Sequence, residues 1–189
     1  MGNWRRRTAA AAAVATLALA GCGGSSQPDA DAVVPTANGN GMMTQDLHAR
    51  IAELGGQAAY PVVPLDLYFE GNEDPASFAP NLDPHPGIAR IYAVLRGIAQ
   101  RPDVSAVVVQ IDEVLDPPDW PYAPAVYIIT SSDAAEVHRW AASITPDELS
   151  PDSEDNYGWL DYANRDRATP PPGAPEVPDG YRPVILFWD

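Results

Sequence analysis

The chain has 189 residues, 11 basic and 26 acidic, giving a formal charge of −15. It contains no lysine, which excludes P-loop phosphate binding and Schiff-base catalysis because both need that ammonium group. So acidic a chain repels nucleic acid, and its length suits one domain with flexible additions.

The N-terminus has three parts. Arg5-Arg6-Arg7 is followed by an apolar run from Ala9 to Ala20, and Leu19-Ala20-Gly21-Cys22 ends it with small residues before a cysteine. A positive cluster, a short apolar stretch and a small-residue cleavage site compose a secretory signal. The run is shorter than the ~20 residues needed to span a bilayer. Its ending resembles the lipobox of bacterial lipoproteins. That resemblance implies a signal peptide over residues 1–21, a diacylglyceryl group on the Cys22 sulfur and anchorage outside the cytoplasmic membrane. The membrane is then the cell membrane or, in a host with two, the outer membrane. Outer-membrane sorting is expected because Gly23 differs from the aspartate associated with inner-membrane retention. Cys22 is the only cysteine, so it forms no internal disulfide, and lipidation accounts for a lone thiol in an exported chain. Each buried methylene contributes roughly 0.8 kcal/mol, so two or three acyl chains anchor stably where one does not. The arginines resemble a twin-arginine signal only superficially, since Thr8-Ala9-Ala10 lacks the rest of that pattern. Loss of the leader removes three arginines, leaving eight basic against 26 acidic residues, a formal −18.

Residues 22–43 comprise Cys22 and a segment rich in Gly, Ser, Asp, Asn and Pro, whose composition predicts a disordered tether. The domain is expected over residues 44–189. Thr44 is a candidate N-cap, with Leu47, Ile51 and Leu54 at helical spacing before Gly55-Gly56. Tyr60 to Phe69 alternates at Val63, Leu65 and Leu67, which predicts a strand. Ile88, Ile91, Leu95 and Ile98 form the apolar stripe of a helix, with Arg90, Arg96 and Arg101 off it. Val104 to Glu113 is a β-branched strand, Asp116-Pro117-Pro118-Asp119 a turn and Val126 to Thr130 another strand. Asp133-Ala134-Ala135-Glu136 opens a helix in the manner of a capping box, with Val137, Trp140, Ala141 and Ile144 as its apolar face. A long acidic, proline-rich stretch from Thr145 to Gly180 follows, with a short helical turn expected over Trp159 to Ala163. Val184 to Trp188 closes the chain as a buried strand. The order after the first helix is β-α-β-β-α-β. It predicts an α+β fold, a ferredoxin-like βαββαβ sandwich with an additional N-terminal helix.

No complete catalytic, metal-binding or cofactor-binding motif is present. Asp83 and His85 are two potential metal ligands without a third. Asp112 and Glu113 end a strand as adjacent carboxylates and point to opposite faces. Ser131 or Ser132, His138 and Asp112 could be drawn as a triad, yet the G-x-S-x-G elbow is missing. His48 and His138 lie off the apolar stripes of their helices. The acidic stretch from Asp147 to Asn156 lacks the residue order of an EF-hand loop. Trp120, Tyr122, Tyr157, Trp159 and Tyr162 flank loops, as interface aromatics or as buried loop anchors.

Several segments together resemble a group of small, uncharacterised bacterial proteins: Phe69-Glu70-Gly71-Asn72, His85-Pro86-Gly87, Arg101-Pro102-Asp103-Val104, Asp119-Trp120-Pro121-Tyr122, Val126 to Ser131 and Pro146-Asp147-Glu148-Leu149. The resemblance implies a shared domain and assigns no activity. The residues favour a non-enzymatic envelope protein that binds another, basic protein, as immunity- or inhibitor-type proteins do. The alternatives are a hydrolase with a site near Asp83, His85 or Asp112, and a small-ligand or cation-binding module using the 145–180 loop.

Overall fold

Alternation of apolar side chains along the middle of the chain organises the domain. The computed structural model describes residues 39–144, 146, 157–159 and 169–188. The chain divides into two units, Met1–Val34 and Pro35–Asp189, and the described residues all lie in the second. The predicted leader, Cys22 and the tether up to residue 38 lie outside them. Among the described residues no helix is long and apolar enough to cross a membrane.

The elements in order are α1 (Gly39–Glu53), β1 (Val62–Pro64), α2 (Leu65–Phe69), α3 (Ile88–Ala99), β2 (Val104–Gln110), β3 (Ala125–Thr130), α4 (Ala134–Ala141) and β4 (Arg182–Phe187). The four strands form one sheet in the order β1-β2-β3-β4, with every neighbouring pair antiparallel. Period-two alternation splits the strands between two clusters. Val63, Val107, Val109, Val126, Ile128, Val184 and Leu186 face the helices. Val62, Val108, Tyr127, Ile129 and Ile185 face the other way. Ile88, Ile91, Leu95 and Ile98 of α3 join the first cluster with Ala134, Val137 and Ala141 of α4. Both helices therefore cover the same side of the sheet.

The mixed α and β content and the one-sided helices match the sequence expectation, but the ferredoxin-like strand order does not. In a split βαβ unit the strands flanking the helix run parallel, with another strand between them. Here β1 and β2 are antiparallel neighbours, with Val63 opposite Val109. The cause is α2. The strand expected over Tyr60 to Phe69 lasts only three residues, because Leu65, Tyr68 and Phe69 also fall at helical i, i+3, i+4 spacing and are buried as a helical face. Trp120 Nε1 donates to the Tyr68 carbonyl at 2.9 Å, so α2 turns the chain back toward the β2–β3 loop. That extra pass reverses the sense in which the chain enters β2.

Other boundaries shift less. α1 begins five residues before Thr44, which is buried within the helix rather than capping it. β2 stops at Gln110, and Glu113 continues toward Tyr122 only as an isolated bridge. Asp133 caps α4 as expected, its Oδ1 accepting the Glu136 N–H at 2.7 Å. Trp159 is not helical, and residues 160–163 lie outside the described ones.

Among the described residues no helix packs on the second face of the sheet. Trp159 packs on Tyr127 with ring centroids 4.9 Å apart, and Ala174, Val177 and Tyr181 complete the cover. Part of the 145–180 stretch is thus scaffold. Gly173 lies at φ 86°, and a Cβ there would stand 2.2 Å from the Val62 carbonyl oxygen.

Removing the α4 cap is expected to destabilise the domain measurably. Asp133→Ala should lose about 1 kcal/mol. Ile91→Ala, fully buried against the sheet, should lose about 2–5 kcal/mol. Urea unfolding of both variants checks the order.

Candidate functional site

The turn after α2 is rich in short polar side chains, and these bond locally before anything else can use them. Asn72 Oδ1 accepts the Asp74 N–H at 3.0 Å, and Asp74 Oδ1 accepts the Ala76 N–H at 2.9 Å, which is Asx-turn chemistry. Asn72 Nδ2 donates to Ser77 Oγ at 2.9 Å, and that hydroxyl lies 2.7 Å from the Asp74 carbonyl. Both side chains are buried. The buried Tyr68 hydroxyl stands 2.7 Å from the Ser77 carbonyl and 2.9 Å from that of Pro121, one proton between two acceptors. Burial raises its pKa far above the usual tyrosine range, so it is no proton carrier near neutrality. Ala123 N–H donates to the Ser77 carbonyl at 3.0 Å. The 72–78 and 119–123 segments are thereby fastened to each other.

Where these segments meet α1 there is an open pocket of about 250 Å³. Gly71, Glu73 and Asp74 line one side, Pro118, Asp119 and Trp120 the other, and Thr44 contributes from α1. His48 Nε2 lies 3.1 Å from the Asp119 carbonyl and ties α1 to this rim. The lining holds three carboxylates and no basic residue. Its volume falls below the roughly 300–1,000 Å³ usual for small-molecule sites. This rim is the candidate functional site. In the sequence Glu73 and Asp74 fall in the turn-rich run Glu70-Gly71-Asn72-Glu73-Asp74-Pro75, and the Asn72-x-Asp74-x-x-Ser77 spacing is the one local signal of this rim.

The other predicted groups are dispersed. His85 Nε2 donates to the Phe78 carbonyl at 3.0 Å while Nδ1 accepts the Gly87 N–H at 2.9 Å. Both ring nitrogens are therefore engaged in shaping the turn before α3, and Asp83 beside it is exposed. Among the described residues no three His, Cys, Asp or Glu side chains are grouped to hold a metal. The Ser-His-Asp triad does not assemble. Ser132 Oγ donates to Asp103 Oδ2 at 2.7 Å, at the start of β2, while Asp112 lies nine residues further on, roughly 30 Å away at the rise of a strand. Asp112 is half-buried and Glu113 exposed, and both of their N–H groups donate to the Tyr122 carbonyl, at 3.0 and 3.3 Å.

Asp103 instead organises the other end of the sheet. Arg101 Nε lies 3.2 Å from its Oδ1, and the same guanidinium sits 3.7 Å above the Trp140 ring. The Ser132 hydroxyl, ahead of the Arg101 charge, lowers the Asp103 pKa. Asp112 moves the opposite way, raised by desolvation and then by Glu113. Of the loop aromatics, Trp120 and Trp159 are buried. The Tyr157 hydroxyl accepts the Ala134 N–H at 3.0 Å, and Arg182 stacks 3.9 Å from its ring centroid. They are loop anchors, not an exposed aromatic patch. Tyr162 and the acidic stretch 147–156 lie outside the described residues.

Fold and rim together define a small α+β protein whose distinctive loop residues are spent on holding loops. The chain belongs to the Uncharacterized protein YfbO family, whose model matches residues 42–186. One relative, Uncharacterized protein YfbO of Escherichia coli (strain K12), is 32% identical over 134 residues, covering 68% of this chain and 83% of the relative. The resemblance to a group of small bacterial proteins is thus confirmed. No solved structure matches.

The two carboxylates should titrate with opposite consequences for stability. Asp103, with a lowered pKa, stabilises the fold above its unfolded value near 3.8, and that contribution disappears as pH falls through the folded value. Asp112, with a raised pKa, favours the fold while protonated, and that contribution is lost as pH rises from 3.8 through the folded value. Asp103→Asn should therefore destabilise at neutral pH and Asp112→Asn stabilise, with the difference from wild type vanishing in acid. Urea melts between pH 3 and 7 measure it. His85→Ala should lose about 1–2 kcal/mol through its two hydrogen bonds.

Proposed function

We propose that this protein is an extracytoplasmic lipoprotein, anchored through Cys22, whose acidic domain binds a basic protein without catalysing a reaction. The observation that carries the binding role is the open pocket with three carboxylates and no basic residue in its lining. It belongs to a chain whose exported part holds eight basic and 26 acidic residues. The histidine and serine that invited catalytic readings, His85 and Ser132, are committed to structural hydrogen bonds. Acidic surfaces raise encounter rates with basic partners, and the resulting association weakens as salt screens it beyond about 10 Å at 0.1 M. An immunity- or inhibitor-type role fits such a domain.

Anchorage rests on the Leu19-Ala20-Gly21-Cys22 ending and on the single cysteine. Radiolabelled palmitate should enter the wild type and not Cys22→Ser; equal labelling of both removes the lipoprotein reading. For the binding role, a deletion strain complemented with Glu73→Gln/Asp119→Asn should show a weakened phenotype, as should neutralisation of Asp147, Asp152, Glu154 and Asp155. His85→Ala, with its stability checked, should complement. Loss with His85→Ala alone in a folded protein, and none with either acidic set, overturns the reading in favour of catalysis.

A further inference from the structure

Residues 169–181 lie across the sheet face opposite α3 and α4 as a strap. Two turns frame it, Pro171 to Ala174 and Pro178 to Tyr181, each closed by an N–H···O bond of 3.0 Å. Gly173 and Gly180 occupy the third position of each at φ 86° and 78°, as type II turns require. Between the turns Ala174 and Val177 pack on the sheet, three residues apart, and Tyr181 follows. Three residues is the repeat of a polyproline II chain, and five of the thirteen positions are proline.

The strap and the surface beneath it are unequal. Val62, Tyr127 and Ile129 under it are fully buried, whereas Ala174, Val177 and Tyr181 remain half-exposed. Among the described residues one backbone hydrogen bond ties the strap to the sheet before β4, from Val62 N–H to the Pro172 carbonyl at 2.9 Å. The surface itself is aromatic and aliphatic, with Tyr127 and Trp159 side by side. Proline-rich segments dock on such aromatic-lined surfaces because their extended form is already low in entropy.

We infer that the sheet face opposite α3 and α4 is a docking site for an extended, proline-rich segment of a partner protein, which residues 169–181 occupy in cis as an autoinhibitory strap. The strap shows the chemistry that fits: prolines, small apolar side chains three apart and a glycine where Val62 comes closest. A partner segment of this kind takes the face when the strap lifts. This surface is distinct from the acidic pocket, so the inference stands or falls separately from the charge-based reading above.

The probe is a fluorescent synthetic peptide of residues 169–181, titrated into the full chain and into its Gly173→Ala variant. A Cβ at Gly173 would meet the Val62 carbonyl at 2.2 Å and Leu54 Cδ1 at 2.9 Å, which drives the strap off the sheet. The variant should bind the peptide at least tenfold more tightly than the wild type. Hydrogen exchange of the Val62 amide should accelerate at least tenfold, while amides shared by β2 and β3 keep their protection. Val177→Ser, which removes an apolar anchor without backbone strain, should shift both readouts the same way and carries the test if Gly173→Ala does not fold. Equal peptide affinity in all three proteins overturns the inference. So does a freed Val62 amide without peptide capture, or loss of protection across the whole sheet in both variants, because the strap is then an inseparable part of the fold.

Discussion

The β2–β3 hairpin is apolar on both faces, and the rest of the domain follows from the need to cover each. Every residue of β3 is buried, and β2 is buried from Val107 to Gln110. Apolar area contributes roughly 25 cal/mol per Å² when withdrawn from water, so a face left open would forfeit several large side chains at once. On one face α3 and α4 supply Ile91, Leu95 and Val137. On the other, among the described residues, Trp159 and the 169–181 segment take that role. The same two-sidedness confers order at the edges, since Val62 of the outer strand β1 finds its backbone partner in Pro172.

Burying so much backbone leaves polar groups that must be satisfied from within, and polar side chains at the two ends of the sheet do this. Tyr68, Asn72, Ser77 and Trp120 close one end of the sheet. Asp103, Thr130 and Ser132 close the other. Gln110 and Tyr127 pair across the hairpin at 2.8 Å, both fully buried. A buried polar atom without a partner costs about 1–3 kcal/mol, so residues committed in this way are not free for chemistry. Among the described residues, the charged side chains left exposed are mostly carboxylates.

Much of the local structure was legible in the sequence because short-range physics fixes it. The stripe Ile88, Ile91, Leu95, Ile98 became α3, with all four side chains buried. The alternation through Val107 and Val109 became the helix-facing side of β2, and Asp133 became a cap. Leu65 was the instructive failure. Tyr60 to Phe69 satisfies both a strand and a helix pattern, and burial of Tyr68 and Phe69 against Phe78 decided for the helix. The candidate sites were less legible, because a side chain's availability depends on which distant backbone groups it meets. His85 and Ser132 were reactive residue types in the sequence and hydrogen-bonded fasteners in the fold.

The sequence alone determined the acidic surface, the absence of lysine chemistry, the helix and strand stripes and the proline punctuation, for these depend on composition and on neighbours a few residues away. Only the tertiary structure decided the strand order, the role of the proline-rich segment and the pocket at the 71–74 and 118–120 loops. Each of these joins residues far apart in the chain, as Tyr68 joins Pro121 and Pro172 joins Val62. Periodicity states which side of an element is apolar; it does not state which other element will cover it.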